Sequence, residues 1–432
     1  VRVLARVAEE GAYASRALDG ELGRARLPPR DAALATELVY GTLRVLERVD
    51  AAFVPLLRDP GRIDPLLRAA LRIGVYQLLF LGRVPPHAAV DEAVGIVTRA
   101  RGRALGGVAN AVLRKVAATR PAAPEPPRTV DVPPWLETAL LRGLGEQRAA
   151  AFLAARTAPP PLGLRVEDPS PGARAAVARR LRASIARRAP LGRLDRARVE
   201  EGSVSPRALL LYGAGDPRAL PGYDEGAFSV QEEGAQAVAL ALGAQSGDRV
   251  ADVCAGHGGK TTLLAREVGA TGHVAALDVH ETKLARIPSE LRRLRLPVDR
   301  VSLHPVDLTV GTGGLRPAFD RVLVDAPCTG LGTLHRRPEL LLRVGEGDPV
   351  RMAALQLAIL RTAARLLRPG ATLLYATCSP TREESLDVVE ALLRERADLR
   401  LESADFIGPW LAPDPDLAPD TYAVLRLRAD PR

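Results

Sequence analysis

The spacing of apolar positions changes along the chain, and each change predicts a different kind of element. Over residues 1 to about 120 they recur three or four apart: Leu34, Leu38, Leu43 and Leu46, then Leu67, Leu71, Val75 and Leu78, then Val108, Val112 and Val116. That period follows one face of an α-helix, so residues 1–120 are predicted to be an all-α helical bundle. Asp31 and Asp64 stand where N-caps are expected, with Pro65 at a first helical position. Residues 121–134, PAAPEPPRTVDVPP, carry too many prolines to continue a helix and predict a linker. Residues 135–225 mix patterns, with helix over 135–158 and 173–187 and short strands over 162–167 and 208–212, which predicts a small α+β adaptor. From residue 226 the chain alternates strands, at 249–255, 273–279, 301–307, 319–325 and 372–377, with helical stretches. Such alternation predicts a doubly wound α/β domain over 226–432, its parallel sheet covered on both faces, with 422–428 added as an edge strand.

Composition narrows the class. Of 432 residues 47% are hydrophobic. No apolar run reaches the ~18–20 residues a bilayer span needs, which predicts neither a membrane span nor a signal peptide. The three cysteines, Cys254, Cys328 and Cys378, are too few and too scattered for a disulfide framework. With no CxxC or HxxxH they predict no metal site, and they suit a reducing, cytoplasmic setting. The net charge of +9 is uneven, at +7 over residues 1–130, +4 over 131–225 and −2 over 226–432. Arg174 to Arg198 holds nine arginines against Asp195 alone, which suits a nucleic-acid-facing patch or, equally simply, a solvated helix face.

The candidate chemistry lies in two runs, FDRVLVDAPCTGLG at 319–332 and LLYATCSP at 373–380. Each begins as a buried strand and ends in a polar loop, and in an open parallel sheet that edge binds ligands. If the strands are neighbours, Asp325, Cys328 and Cys378 share one pocket. Free cysteines are usually small buried hydrophobes, but all three here stand at strand ends. A third run, DVCAGHGGKTT at 252–262, joins a strand to a helix. A phosphate-binding GxxxxGK[ST] would need Gly at 254, and a GxGxxG starting at Gly256 would need Gly at 261, so both patterns fail by one residue. Asp252-x-Cys254-x-Gly256-x-Gly258 remains, with Asp278 closing the second strand and Asp307 the third. One such Asp is as readily a turn former as a ligand; three beside a glycine-rich loop favour a ligand.

That loop with Asp278 resembles the S-adenosylmethionine site of class I methyltransferases. The resemblance implies that Cys254, Ala255, Gly256, His257, Gly258, Gly259 and Lys260 surround the cofactor, with Asp278 on its ribose, Asp307 near its adenine and Asp325 where its methionine end meets a substrate base. Cytosine C5 is a poor nucleophile, and a thiolate added at C6 activates it, so one nucleophilic and one helper thiol would suffice. DAPCTGLG, YATCSPTREES and FSVQEEGAQ resemble the RNA cytosine-5 methyltransferases, and DAALATELVYGTLR, LRIGVYQLLFL and GGVANAVLRKV resemble a NusB-like RNA-binding domain. Together they resemble RsmB-type small-subunit ribosomal RNA methyltransferases. The resemblance implies Cys378 as nucleophile, Cys328 as the group that aids release and Asp325 in the catalytic site. It further implies small-subunit ribosomal RNA as partner and a monomeric enzyme without metal. Spacing alone does not choose between the thiols, because DNA cytosine methyltransferases attack from a Pro-Cys motif. The sequence departs from the family pattern at Gly256, His257 and Ser385, where Ala, Pro and Asn are usual, and at Glu167, where Asn is frequent. A methyltransferase acting on transfer RNA, on protein or on a small molecule, and a non-catalytic assembly factor, are the alternatives.

Overall fold

The structure, a computed structural model, describes residues 1–120, 132–155, 160–188, 197–213, 215–402 and 422–431. Residues 121–131 of the expected linker and 189–196 of the arginine-rich stretch lie outside these. The chain forms two compact units.

Among its described residues the first unit contains the α-helices Arg2–Glu10, Ala14–Ala25, Pro29–Arg44, Leu46–Phe53, Pro65–Phe80, Pro86–Arg101 and Arg103–Thr119. Their apolar stripes close on a core that includes Phe53, Leu71, Val75, Val97 and Leu113. Asp64 caps its helix as expected, accepting the Leu67 N–H at 3.0 Å, with Pro65 following it. Asp31 does not cap: the helix starts earlier, at Pro29, because a proline suits the first turn, and Asp31 lies inside that turn, where its charge favours the helix dipole. The unit also takes in a later stretch, Leu334–Gly345. There Leu334 and Leu340 are buried, Glu339 accepts the Ala14 N–H at 3.1 Å, and the Arg343 guanidinium lies 4.0 Å from the centre of the Tyr13 ring.

Among its described residues the second unit holds two sheets. The smaller is antiparallel, with strands β1 (Leu162–Val166), β2 (Arg198–Glu201), β3 (Ala208–Tyr212) and β4 (Phe228–Val230) in the order β2-β3-β1-β4. It therefore extends past residue 225. The helix Ala173–Arg188 supplies Ala178, Leu181 and Ile185 to the same core as Leu164, Val166 and Phe228. The helical stretch expected over 135–158 is broken into Pro134–Leu144 and Glu146–Ala155, because Gly145 takes a left-handed φ of 76°. Part of the arginine-rich patch is already engaged: Arg174 pairs with Glu201, Arg180 with Glu225 and Arg198 with Glu200, while Arg182 donates to the Val199 carbonyl.

The larger sheet contains β5 (Arg249–Val253), β6 (His273–Asp278), β7 (Val301–Pro305), β8 (Phe319–Asp325), β9 (Leu367–Thr377), β10 (Leu399–Leu401) and β11 (Ala423–Ala429). Their order is β10-β11-β9-β8-β5-β6-β7, parallel from β9 to β7. The expected edge strand at 422–428 is an inner one, because β11 pairs antiparallel with both β9 and the short β10. Successive residues of the central strands face opposite layers. Val322, Val324, Leu373 and Tyr375 pack in one, and Leu323, Leu374 and Ala376 in the other, which is why these runs read as continuously apolar. Among the described residues no helix is long and apolar enough to cross a membrane.

Candidate active site

The five parallel strands end along one edge. From β9 to β7 their termini present Cys378, Asp325, Cys254, Asp278 and, two residues beyond β7, Asp307. The chain runs from β5 outward to β6 and β7, then returns to the other side of β5 as β8. A ligand crevice forms at such a reversal.

The loop after β5 is built for close approach. Cys254, at φ 63°, holds a left-handed conformation that non-glycine residues seldom adopt. Gly258, at φ 83°, packs so tightly that a Cβ there would lie 2.6 Å from Ile287. The helix Gly259–Glu267 follows with no side chain capping its start, which leaves its first amides for an acceptor. Asp278 braces the loop, accepting N–H groups from Gly256 at 2.9 Å and His280 at 2.8 Å. Ala255 is half-buried and donates to the Leu277 carbonyl at 2.9 Å, while His257 and Gly259 are exposed. Asp307 is exposed, and its carboxylate takes the N–H and hydroxyl of Thr309 at 2.9 and 2.6 Å, a turn-forming role. These donors, this glycine cradle and this acidic strand end fit S-adenosylmethionine.

Beneath the loop Asp252 is buried and accepts the Thr261 hydroxyl at 2.6 Å. Burial pushes its pKa up to about 7. Its folded-state pKa exceeds its ordinary 3.8, so the stability it contributes is complete below about pH 4 and is lost as pH rises through 7. Asp252→Asn should therefore lack a decline of up to about 4 kcal/mol between pH 4 and 7. Urea unfolding at both pH values measures the difference from the parent protein, and equal slopes would contradict it.

Strands β8 and β9 are neighbours, and the two thiols converge with Sγ atoms 3.1 Å apart. The contact with Cys378, burial and the nearby Glu384 and Asp325 all push the Cys328 thiol pKa upward. Burial likewise pushes the Cys254 thiol up. Lys260 bonds Asp325. Burial lowers the lysine's pKa, but Asp325, Asp252 and Cys378 more than offset this and hold it above the ordinary value.

Two features escape sequence reasoning. Arg165 is fully buried and spans from the small sheet to the loop after β5 and the helix that follows it, donating to Glu167 at 2.7 Å, Gln231 at 2.6 Å, the Gly259 carbonyl at 2.7 Å and Thr262 at 3.0 Å. Its only sequence signal is two opposite charges, Arg165 and Glu167, on one face of an otherwise apolar strand. Behind the cysteines Glu384 is also fully buried.

A glycine-rich turn after the first strand of a mostly parallel sheet, an acidic end to the next strand and paired thiols at the same edge define an S-adenosylmethionine-dependent methyltransferase. Residues 239–412 match the family described as 16S rRNA methyltransferase RsmB/F, and residues 1–118 match the NusB family. Ribosomal RNA small subunit methyltransferase B of Sodalis glossinidius is 33% identical over 90% of this chain and 87% of its own length. The protein of that name in Pseudomonas putida is 33% identical over 91% of this chain and 87% of its own. The crystal structure of PH0851 shares the fold, with a TM-score of 0.79 at 22% identity, covering 98% of this chain and 97% of that one. The chain belongs to the RsmB/F methyltransferase family.

Proposed function

We propose that this methyltransferase modifies C5 of a cytosine in small-subunit ribosomal RNA through a covalent bond between Cys378 and C6. The observation that carries the reading is the 3.1 Å approach of Cys328 and Cys378 beside the Lys260–Asp325 pair. S-adenosylmethionine, when bound, supplies an electrophilic methyl group. Cys254 to Lys260 and Asp278 are assigned to hold it, with Asp307 at the outer end of the row.

Cys378 is assigned the attack, with its Sγ 3.1 Å from that of Cys328. Addition of that sulfur to C6 moves the ring electrons toward C5 and N3, N3 takes up a proton from solvent, and Asp325 is assigned to accept the N3–H hydrogen bond that stabilises the adduct. Once C5 carries the methyl group, its proton must leave to a base. The C6–S bond then breaks, the double bond re-forms and the sulfur returns as thiolate. Cys328, in contact with that sulfur, is assigned to assist this elimination. Bisulfite sequencing of ribosomal RNA with and without the gene tests the reading: one small-subunit cytosine should lose protection in the deletion. Full protection without the protein would overturn the reading.

A further inference from the structure

The two cysteine loops share a single buried partner. Oε1 of Glu384 accepts the Thr329 N–H at 2.8 Å and Nε2–H of Gln356 at 3.1 Å. Its Oε2 accepts the hydroxyls of Thr329 at 2.5 Å, Ser379 at 2.6 Å and Thr381 at 3.2 Å. Thr329 directly follows Cys328 and Ser379 directly follows Cys378, so one carboxylate grips the neighbour of each thiol. Gln356 also donates to the Pro327 carbonyl at 2.9 Å, and the Tyr375 hydroxyl donates to the Glu384 carbonyl at 2.8 Å. A carboxylate removed from water needs such a full set of donors, and here the set is drawn from both loops and from Gln356 of the helix Asp348–Ala364.

We propose that Glu384 is a positioning residue for the two thiols, fastening the Cys328 loop to the Cys378 loop and fixing the approach of their sulfurs. The proposal deepens the covalent reading and rests on it only for its catalytic consequence, since the juxtaposition belongs to the free protein. Charge adds a second effect. The groups facing Cys328 are Cys378, Glu384, Asp325 and Tyr375, with Lys260 on Asp325. Of these, Glu384 can be neutralised without changing its shape, and losing its negative charge should let the Cys328 thiol ionise more readily.

The test uses the full chain without RNA or cofactor. Phenylarsine oxide condenses with two thiols, forming two As–S bonds and releasing water, only where the sulfurs converge; Cys378→Ser sets the baseline. Glu384→Ala should lower its affinity at least about tenfold, as expected when a held geometry is released. Glu384→Gln should stay within about threefold, because hydroxyls that donate can also accept. In that variant alkylation of Cys328 by iodoacetamide, followed by peptide mass spectrometry, should move to lower pH by about half a unit or more. If Glu384→Ala does not melt cooperatively, Thr329→Val replaces it, with an expected loss of about threefold. A cooperatively folded alanine variant with parental arsenical affinity, or an unmoved alkylation profile in Glu384→Gln, overturns the proposal. Cytosine methylation measured in parallel separates the two ideas: altered thiol chemistry in the Glu384 variants, with a parent protein that modifies no cytosine, would retain Glu384's role and remove the function.

Discussion

Cys328→Ala is expected to accumulate as a denaturation-resistant, thiol-linked complex with RNA, whereas Cys378→Ala and the double variant form none. The asymmetry follows from the assigned roles. Without Cys378 no bond to C6 forms, and turnover should fall by roughly four orders of magnitude or more, as when other enzymes lose their nucleophile. Without Cys328 the adduct still forms, but its elimination slows. The raised pKa of Cys328 fits this division, because a thiol kept protonated by burial and by its neighbours is a poor nucleophile near neutral pH. Gel electrophoresis of variants incubated with cofactor and ribosomal RNA reads the outcome. Trapping by Cys378→Ala with silence from Cys328→Ala would exchange the roles, and no band from any variant would remove the covalent step.

The second large effect is structural. Arg165→Met should destabilise the protein by about 3–5 kcal/mol, because it leaves Glu167 buried without its main counter-charge. Burial lowers the arginine's pKa, and Glu167 opposes that shift, so the two charges depend on each other. Arg266 at 3.2 Å and the Ser229 hydroxyl at 2.7 Å are then the remaining partners of Glu167. Adding Glu167→Gln should recover part of the loss. Cofactor affinity should fall as well, since the Gly259 carbonyl and Thr262 lose the donor that ties the loop to the small sheet. Denaturant midpoints and calorimetry measure the two effects. An unchanged midpoint in Arg165→Met would show that the network contributes packing alone.

What could be read from the sequence was whatever is local. The central strands announce themselves as short apolar runs ending in Asp or Cys, and the loop after β5 by its glycines, so the carboxyl edge and its thiols can be located from the sequence. Strand order was less accessible. Nothing within residues 422–428 says that Leu399–Leu401 will pair on their outer side, so an inner strand looked like an edge. Buried charges were hidden for the same reason. Glu384 looks like one more acid in Thr381-Arg382-Glu383-Glu384, and only folding brings Thr329, 55 residues away, onto it. Lys260 stands in the glycine-rich run after β5, but its bond to Asp325 depends on β5 and β8 lying side by side.

The stretch Leu334–Gly345 gives the molecule an unusual kind of unity. It begins a few residues after Cys328, completes the helical unit, and is followed by the helix Asp348–Ala364 of the sheet-bearing unit. The two halves are therefore not beads on a string that evolution or an engineer could unthread. A gene split after residue 120 would strip the turn Pro338–Leu342 of the helices Arg2–Glu10 and Pro29–Arg44 it packs against, and Glu339 of the Ala14 amide. It would also leave the separated bundle with an open seam. Exchanging the front module between relatives would demand that this twelve-residue patch travel with it. The helical part is thereby inherited as a portion of the enzyme rather than as an attachment to it.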